Sequence, residues 1–104
     1  MKTYYIKSDG GVMFDYDLTD NQDGARLTKL QKAVGGYIEY VATPFQDTKV
    51  IANEEGLLHK LPPNIIATGI CQKVIVGDVI GETSNPSVME YIVKCSVVGS
   101  ISEN

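Results

Sequence analysis

Residues 30–40, LQKAVGGYIEY, constrain this chain more than any other stretch: a helical pattern, a glycine pair and a strand follow one another without a linker. Leu27, Leu30 and Val34 recur at helical spacing, while Arg26, Lys29, Gln31 and Lys32 point elsewhere, which predicts one main amphipathic helix over about residues 21–34. Asp20 or Asp23 is the expected N-cap, its charge matched to the positive end of the helix dipole. Lys29 and Lys32 suit the opposite end. Gly35 is the expected stop and Gly36 the release into a strand over residues 37–42. A phosphate loop precedes its helix; this glycine pair follows one, so it is read as a stop.

The remainder reads mostly as strand. Residues 2–8 are rich in tyrosine and isoleucine, Asp9-Gly10-Gly11 is a turn signal, and Val12, Phe14 and Tyr16 alternate with Met13, Asp15 and Asp17, so the chain opens with a hairpin. Residues 37–42 carry bulk on both faces and are expected to be central. Pro44 ends that strand, residues 49–52 form another, and Asn53-Glu54-Glu55-Gly56 is a turn. Residues 57–61 read as extended, Pro62-Pro63-Asn64 as a break, and residues 65–69 as one short helical turn. Residues 70–80 suit a strand interrupted at Gly77-Asp78, residues 82–86 a polar loop, and residues 87–98 a long strand with Met89, Tyr91, Val93, Cys95 and Val97 on one side. The expected fold is α+β: a mostly antiparallel sheet with one main helix packed on it, in a single domain of 104 residues.

Composition excludes several roles. The formal charge is −4 and Arg26 is the only arginine, with the lysines scattered. Nucleic-acid binding requires clustered cations to neutralise phosphates, so no nucleic-acid partner is expected. No apolar run approaches the ~20 residues of a membrane helix, and the N-terminus lacks a signal-peptide core, so a cytoplasmic protein is expected. Cys71 and Cys95 lie far apart in apolar runs and are read as reduced core thiols. With His59 alone beside them they form no zinc pattern, and no metal or cofactor is expected. A homo-oligomer would add buried surface, and the sequence leaves room for one.

The candidate chemistry is sparse. Glu54 and Glu55 sit together on a turn, where adjacent carboxylates ordinarily diverge into water; acid–base catalysis needs a cleft to shift one of them. His59 has no nucleophile with a recognisable partner. No catalytic residue is therefore assigned. Six tyrosines and no tryptophan offer flat contact area with a polar tip. Tyr37 and Tyr40 fall on opposite faces of one strand, so at least one is expected to be exposed. Asn64, after two prolines, is placed either to cap the next turn or to read a base edge, and capping is favoured.

The blocks AVGGYIEYV (33–41), VIANEEGLLHKLPPN (50–64) and IVGDVIGE (75–82) resemble a family of small domain-of-unknown-function proteins from phages, plasmids and other mobile elements. The resemblance covers roughly the middle two-thirds of the chain and implies a mobile-element origin without an assigned chemistry. It leads to the expectation of a non-enzymatic accessory protein that antagonises host defence by sequestering a small nucleotide-derived signal, with Arg26, Tyr37, Tyr40, Asn53 and Asn64 as ligand-binding residues. The rival expectation is a protein-binding inhibitor of a defence nuclease or effector, using an acidic, tyrosine-bearing sheet face or edge. A small hydrolase using Glu54, Glu55 or His59 is the remote third.

Overall fold

The computed structural model describes residues 1–18 and 24–96. Five strands and three helices follow in the order β1 (Lys2–Ile6), β2 (Val12–Phe14), α1 (Ala25–Val34), β3 (Ile38–Val41), β4 (Thr48–Asn53), α2 (Ile65–Cys71), β5 (Val79–Thr83) and α3 (Pro86–Cys95). The strands form one antiparallel sheet in the order β2-β1-β5-β4-β3. The class is α+β, and the expected main helix, α1, is one of three among the described residues.

Helices cover both faces of the sheet. Leu30 and Ala33 of α1 pack with Ile51 and Ile80 on one side. Ile66, Ala67 and Ile70 of α2, with Val88 and Ile92 of α3, pack on Tyr4, Ile6, Val50 and Val79 on the other. Successive strand residues face opposite layers, so β4 and β5, covered on both sides, bury Val50, Ile51, Val79 and Ile80 completely. Each such side chain contributes about 1.5–3 kcal/mol of transfer free energy, which makes β4 and β5 the centre of the fold. The strand expected to be central, over residues 37–42, is instead the edge strand β3.

The stop of α1 follows its sequence. Gly35 adopts φ +83°, and the amides of Gly35 and Gly36 both donate to the Gln31 carbonyl, at 2.8 and 3.0 Å. The buried face of α1 is Leu30, Ala33 and Val34; Leu27, expected on that face, is about half exposed. Helix positions 21–23, the caps Asp20 and Asp23, and residues 97–104 lie outside the described residues.

Four expectations for the second half change. Residues 87–95 belong to α3, not to a strand: Asn85 caps the Ser87 amide at 2.9 Å, Pro86 occupies the first turn, and Val88 and Ile92 bury at helical spacing. The alternation of Met89, Tyr91 and Val93 does not mark one buried face: Met89 and Tyr91 pack at the margin of the core and Val93 is exposed. The short turn at residues 65–69 extends through Cys71 as α2. The expected turn at residues 53–56 continues as turns through residue 60, where an extended segment was expected, with Leu61 N–H closing on Gly56 O at 3.0 Å. Glu82 and Thr83, expected in a polar loop, are buried in β5.

Candidate functional site

The five residues singled out by sequence divide into three groups. Asn53 and Asn64 are buried. The Asn64 side chain caps α2 by accepting from Ala67 N–H at 3.0 Å, and its Nδ2 donates to the carbonyls of Ile6 (3.0 Å) and Gly77 (2.9 Å). Asn53 Nδ2 donates to Val34 O at the end of α1 (3.1 Å), and its Oδ1 accepts from Glu55 N–H (2.7 Å). Both amides are committed to the scaffold, which replaces the expected ligand contact with a structural role. Capping, the favoured reading for Asn64, is its observed geometry.

Arg26 sits in the first turn of α1, and its Nη2 meets both carboxylate oxygens of Glu82 at 3.1 and 3.2 Å. It borders an open cleft of about 870 Å³ shared with Lys2, Tyr16, Asp15 and Asp17. The charge there is mixed: Lys2 pairs with Asp15 at 3.6 Å, and a second carboxylate, Asp17, stands on the wall. The cleft is built on β1 and the residues after β2, which β4 and β5 separate from β3.

Tyr37 and Tyr40 are 65% and 59% exposed at that far edge. Register places Tyr40 opposite Ile51, on the α1 side of the sheet, and Glu39 opposite Ala52, on the α2–α3 side. Beside Glu39 runs a groove of about 240 Å³ with Val41 and Ala52 in its floor. Leu57 and Leu58, each 74% exposed, and Val74, 67% exposed, form its walls. Glu39, Glu54 and Glu55 stand around it, and no basic residue lines it. Sequence reasoning missed the leucine pair. Its signal was present: two adjacent leucines directly after a turn glycine cannot both face one core if the turn continues through them, whereas an extended segment over residues 57–61 would turn one of them inward.

The other polar groups are structural in their bonding. His59 Nε2 lies 3.3 Å from Glu55 Oε1 on the exposed turn. Tyr5 donates its hydroxyl to Ala33 O at 2.9 Å, with Asp78 Oδ2 at 3.4 Å; Asp78 also accepts from Ser8 N–H at 2.8 Å. Burial, then the Asp78 carboxylate, pushes the Tyr5 phenol up to about 12. Cys71 is buried and Cys95 is exposed, which corrects the expected core position of Cys95; both are free thiols. Among the described residues no group of three or more His, Cys, Asp or Glu side chains is placed to hold a metal ion, and no helix is long and apolar enough to cross a membrane.

No curated protein matches the chain, and no solved structure does. A family description does match: residues 1–93 fit a domain of unknown function, DUF3846.

Proposed function

The chain belongs to the DUF3846 family, a domain of unknown function, and from that premise we propose that it is a non-enzymatic phage or mobile-element accessory protein that docks onto a host defence protein. One observation carries this reading. Five large apolar side chains around β3 and its neighbouring turns, Tyr37, Tyr40, Leu57, Leu58 and Val74, are each more than half exposed. Leu57, Leu58 and Val74 line one groove with an acidic rim, and grouped exposed apolar side chains of this kind support an interaction site. The resemblance of the GGYIE, NEEG and LPPN blocks to mobile-element proteins supports the biological setting, and the acidic surface supports a protein partner over nucleic acid.

The test is capture of partners from host lysate by the tagged protein, in parallel with Tyr37→Ala/Leu58→Asp and with Met13→Asp on the opposite edge. A stoichiometric defence protein is expected with the parent and with Met13→Asp, and is expected to be lost with the first variant. Capture of no such protein, or equal capture by all three, defeats the reading.

Sequestration of a nucleotide-derived signal keeps one supporting observation, the large cleft bordered by Arg26, Lys2 and Tyr16. Asp15 and Asp17 on the same cleft weigh against phosphate. Titration calorimetry with cyclic nucleotides and cyclic ADP-ribose isomers separates the two mechanisms: heat that disappears in Arg26→Ala favours sequestration, and no heat removes it.

A further inference from the structure

We propose that β3 is a receptor edge, to which an extended lysine- or arginine-bearing segment of the partner adds as a sixth strand. This inference rests on the protein-docking reading above and specifies the chemistry of the partner.

The backbone makes the first argument. Among the described residues β3 ends the sheet, with β4 on one side and no strand on the other. The bond from Glu54 N–H to Tyr37 O, at 2.8 Å, sets the phase of the β3–β4 ladder. In an antiparallel pair, bonded and non-bonded positions alternate, so Glu39 and Val41 exchange bonds with Ala52 and Val50. The N–H and C=O of Ile38 and Tyr40 then point away from the sheet. They are spaced two residues apart, the repeat that an incoming strand presents.

The side chains make the second. Sheet edges are commonly blunted by proline, bulges or inward charge. β3 has no proline, and its four residues match Asn53 through Val50 one for one, without a bulge. It carries exposed Tyr40 and follows exposed Tyr37, whose rings offer flat contact area to an added strand.

Charge makes the third. Glu39 projects from the edge on the α2–α3 side, and Glu54 follows at the end of β4. Glu55 already meets His59, so Glu39 and Glu54 are the two carboxylates offered to a partner. The groove beside them carries no basic residue. Alternate side chains of a docked strand lie over this face: a basic one meets Glu39, and an apolar one two residues on rests in the groove by Leu58. An acidic segment, or a phosphate backbone, is repelled here.

The experiment is selection from a randomised octapeptide display library against the full chain, with Glu39→Lys as counter-target. Enriched peptides are expected to carry Lys or Arg alternating with apolar residues, without internal proline. Their affinity is expected to fall at least about tenfold on Glu39→Lys and on Glu54→Lys. With the best peptide bound, amide hydrogen exchange at Ile38 and Tyr40 is expected to slow, and exchange at Met13 to stay the same. No enrichment, enrichment without a basic bias, or unchanged exchange at Ile38 and Tyr40 overturns strand addition. Both glutamates are exposed, and an unchanged melting temperature in each variant shows that its fold is intact. If selection fails while lysate capture still depends on Tyr37 and Leu58, docking stands and strand addition falls. If capture ignores those residues, both fall.

Discussion

Asn64 Nδ2 lies 3.0 Å from the Ile6 carbonyl, so one fully buried amide joins the cap of α2 to the end of β1, 58 residues earlier in the chain. The same nitrogen reaches Gly77 O at 2.9 Å, just before β5, while Oδ1 caps the Ala67 amide. Asn64→Ala leaves two buried carbonyls and one helix amide without that partner. Each unsatisfied buried group costs about 1–3 kcal/mol, and the lost cap about 1 kcal/mol, so a loss near 4 kcal/mol is expected in urea unfolding. Asn64→Ser, which retains a capping oxygen, is expected to recover roughly 1 kcal/mol of it. Equal stability of parent and Asn64→Ala contradicts the role.

Arg26→Ala leaves the Glu82 carboxylate in a central strand without its guanidinium. Glu82 is 8% exposed. The expected cost is about 1–3 kcal/mol, moderated by water reaching the half-exposed Arg26 position. Adding Glu82→Gln is expected to restore part of the loss, because the stranded charge is gone. Additive losses in the double variant, measured by denaturant titration, exclude a coupled pair.

Alkaline pH is expected to weaken the fold through Tyr5. Its folded pKa of about 12 lies above the ordinary value of 10.0, through burial first and the Asp78 carboxylate second. The fold therefore favours the neutral phenol, and that contribution is complete below pH 10 and is lost as pH rises through 12. Tyr4 and Tyr91 are shifted in the same direction, so the parent alone does not isolate Tyr5. Tyr5→Phe is expected to flatten the fall in urea midpoint between pH 10 and 12. An unchanged slope rules out the contribution.

The two thiols are expected to react on different timescales. Burial pushes Cys71 up to about 11, against a smaller downward pull from Lys73, whereas Cys95 is exposed. The thiolate is the reactive form, so a disulfide-exchange reagent at neutral pH should modify one thiol promptly and the second only on unfolding. Cys95→Ser should abolish the fast phase.

Local elements were legible wherever a residue's own chemistry decides the backbone. The Asp9-Gly10 turn and the Gly35 stop rest on positive φ, +96° and +83°, which glycine adopts at little cost. The Asn64 cap follows from an amide held after two prolines and ahead of an apolar run. α3 had an equally local signal, Asn85 followed by Pro86, but β-branched content and an accidental alternation concealed it. β-Propensity reports burial against neighbours more than backbone preference, so it yields when Val88 and Ile92 meet a core at helical spacing.

The sequence by itself determined that this chain is a small α+β domain with a helix stopped at Gly35, an opening hairpin and no basic footprint. Only the tertiary structure decided which strand is central, which glutamate meets Arg26, and which apolar residues stay outside. Those outcomes depend on partners far along the chain: Glu82 lies 56 residues from Arg26, and β4 and β5 became central because β5 inserted between β4 and β1, while β3 pairs with β4 alone. A residue's position in sequence carries no information about how many neighbours such an insertion will give it. Tyr37, Tyr40, Leu57 and Leu58 remain exposed because no later element of the described chain returns to cover them.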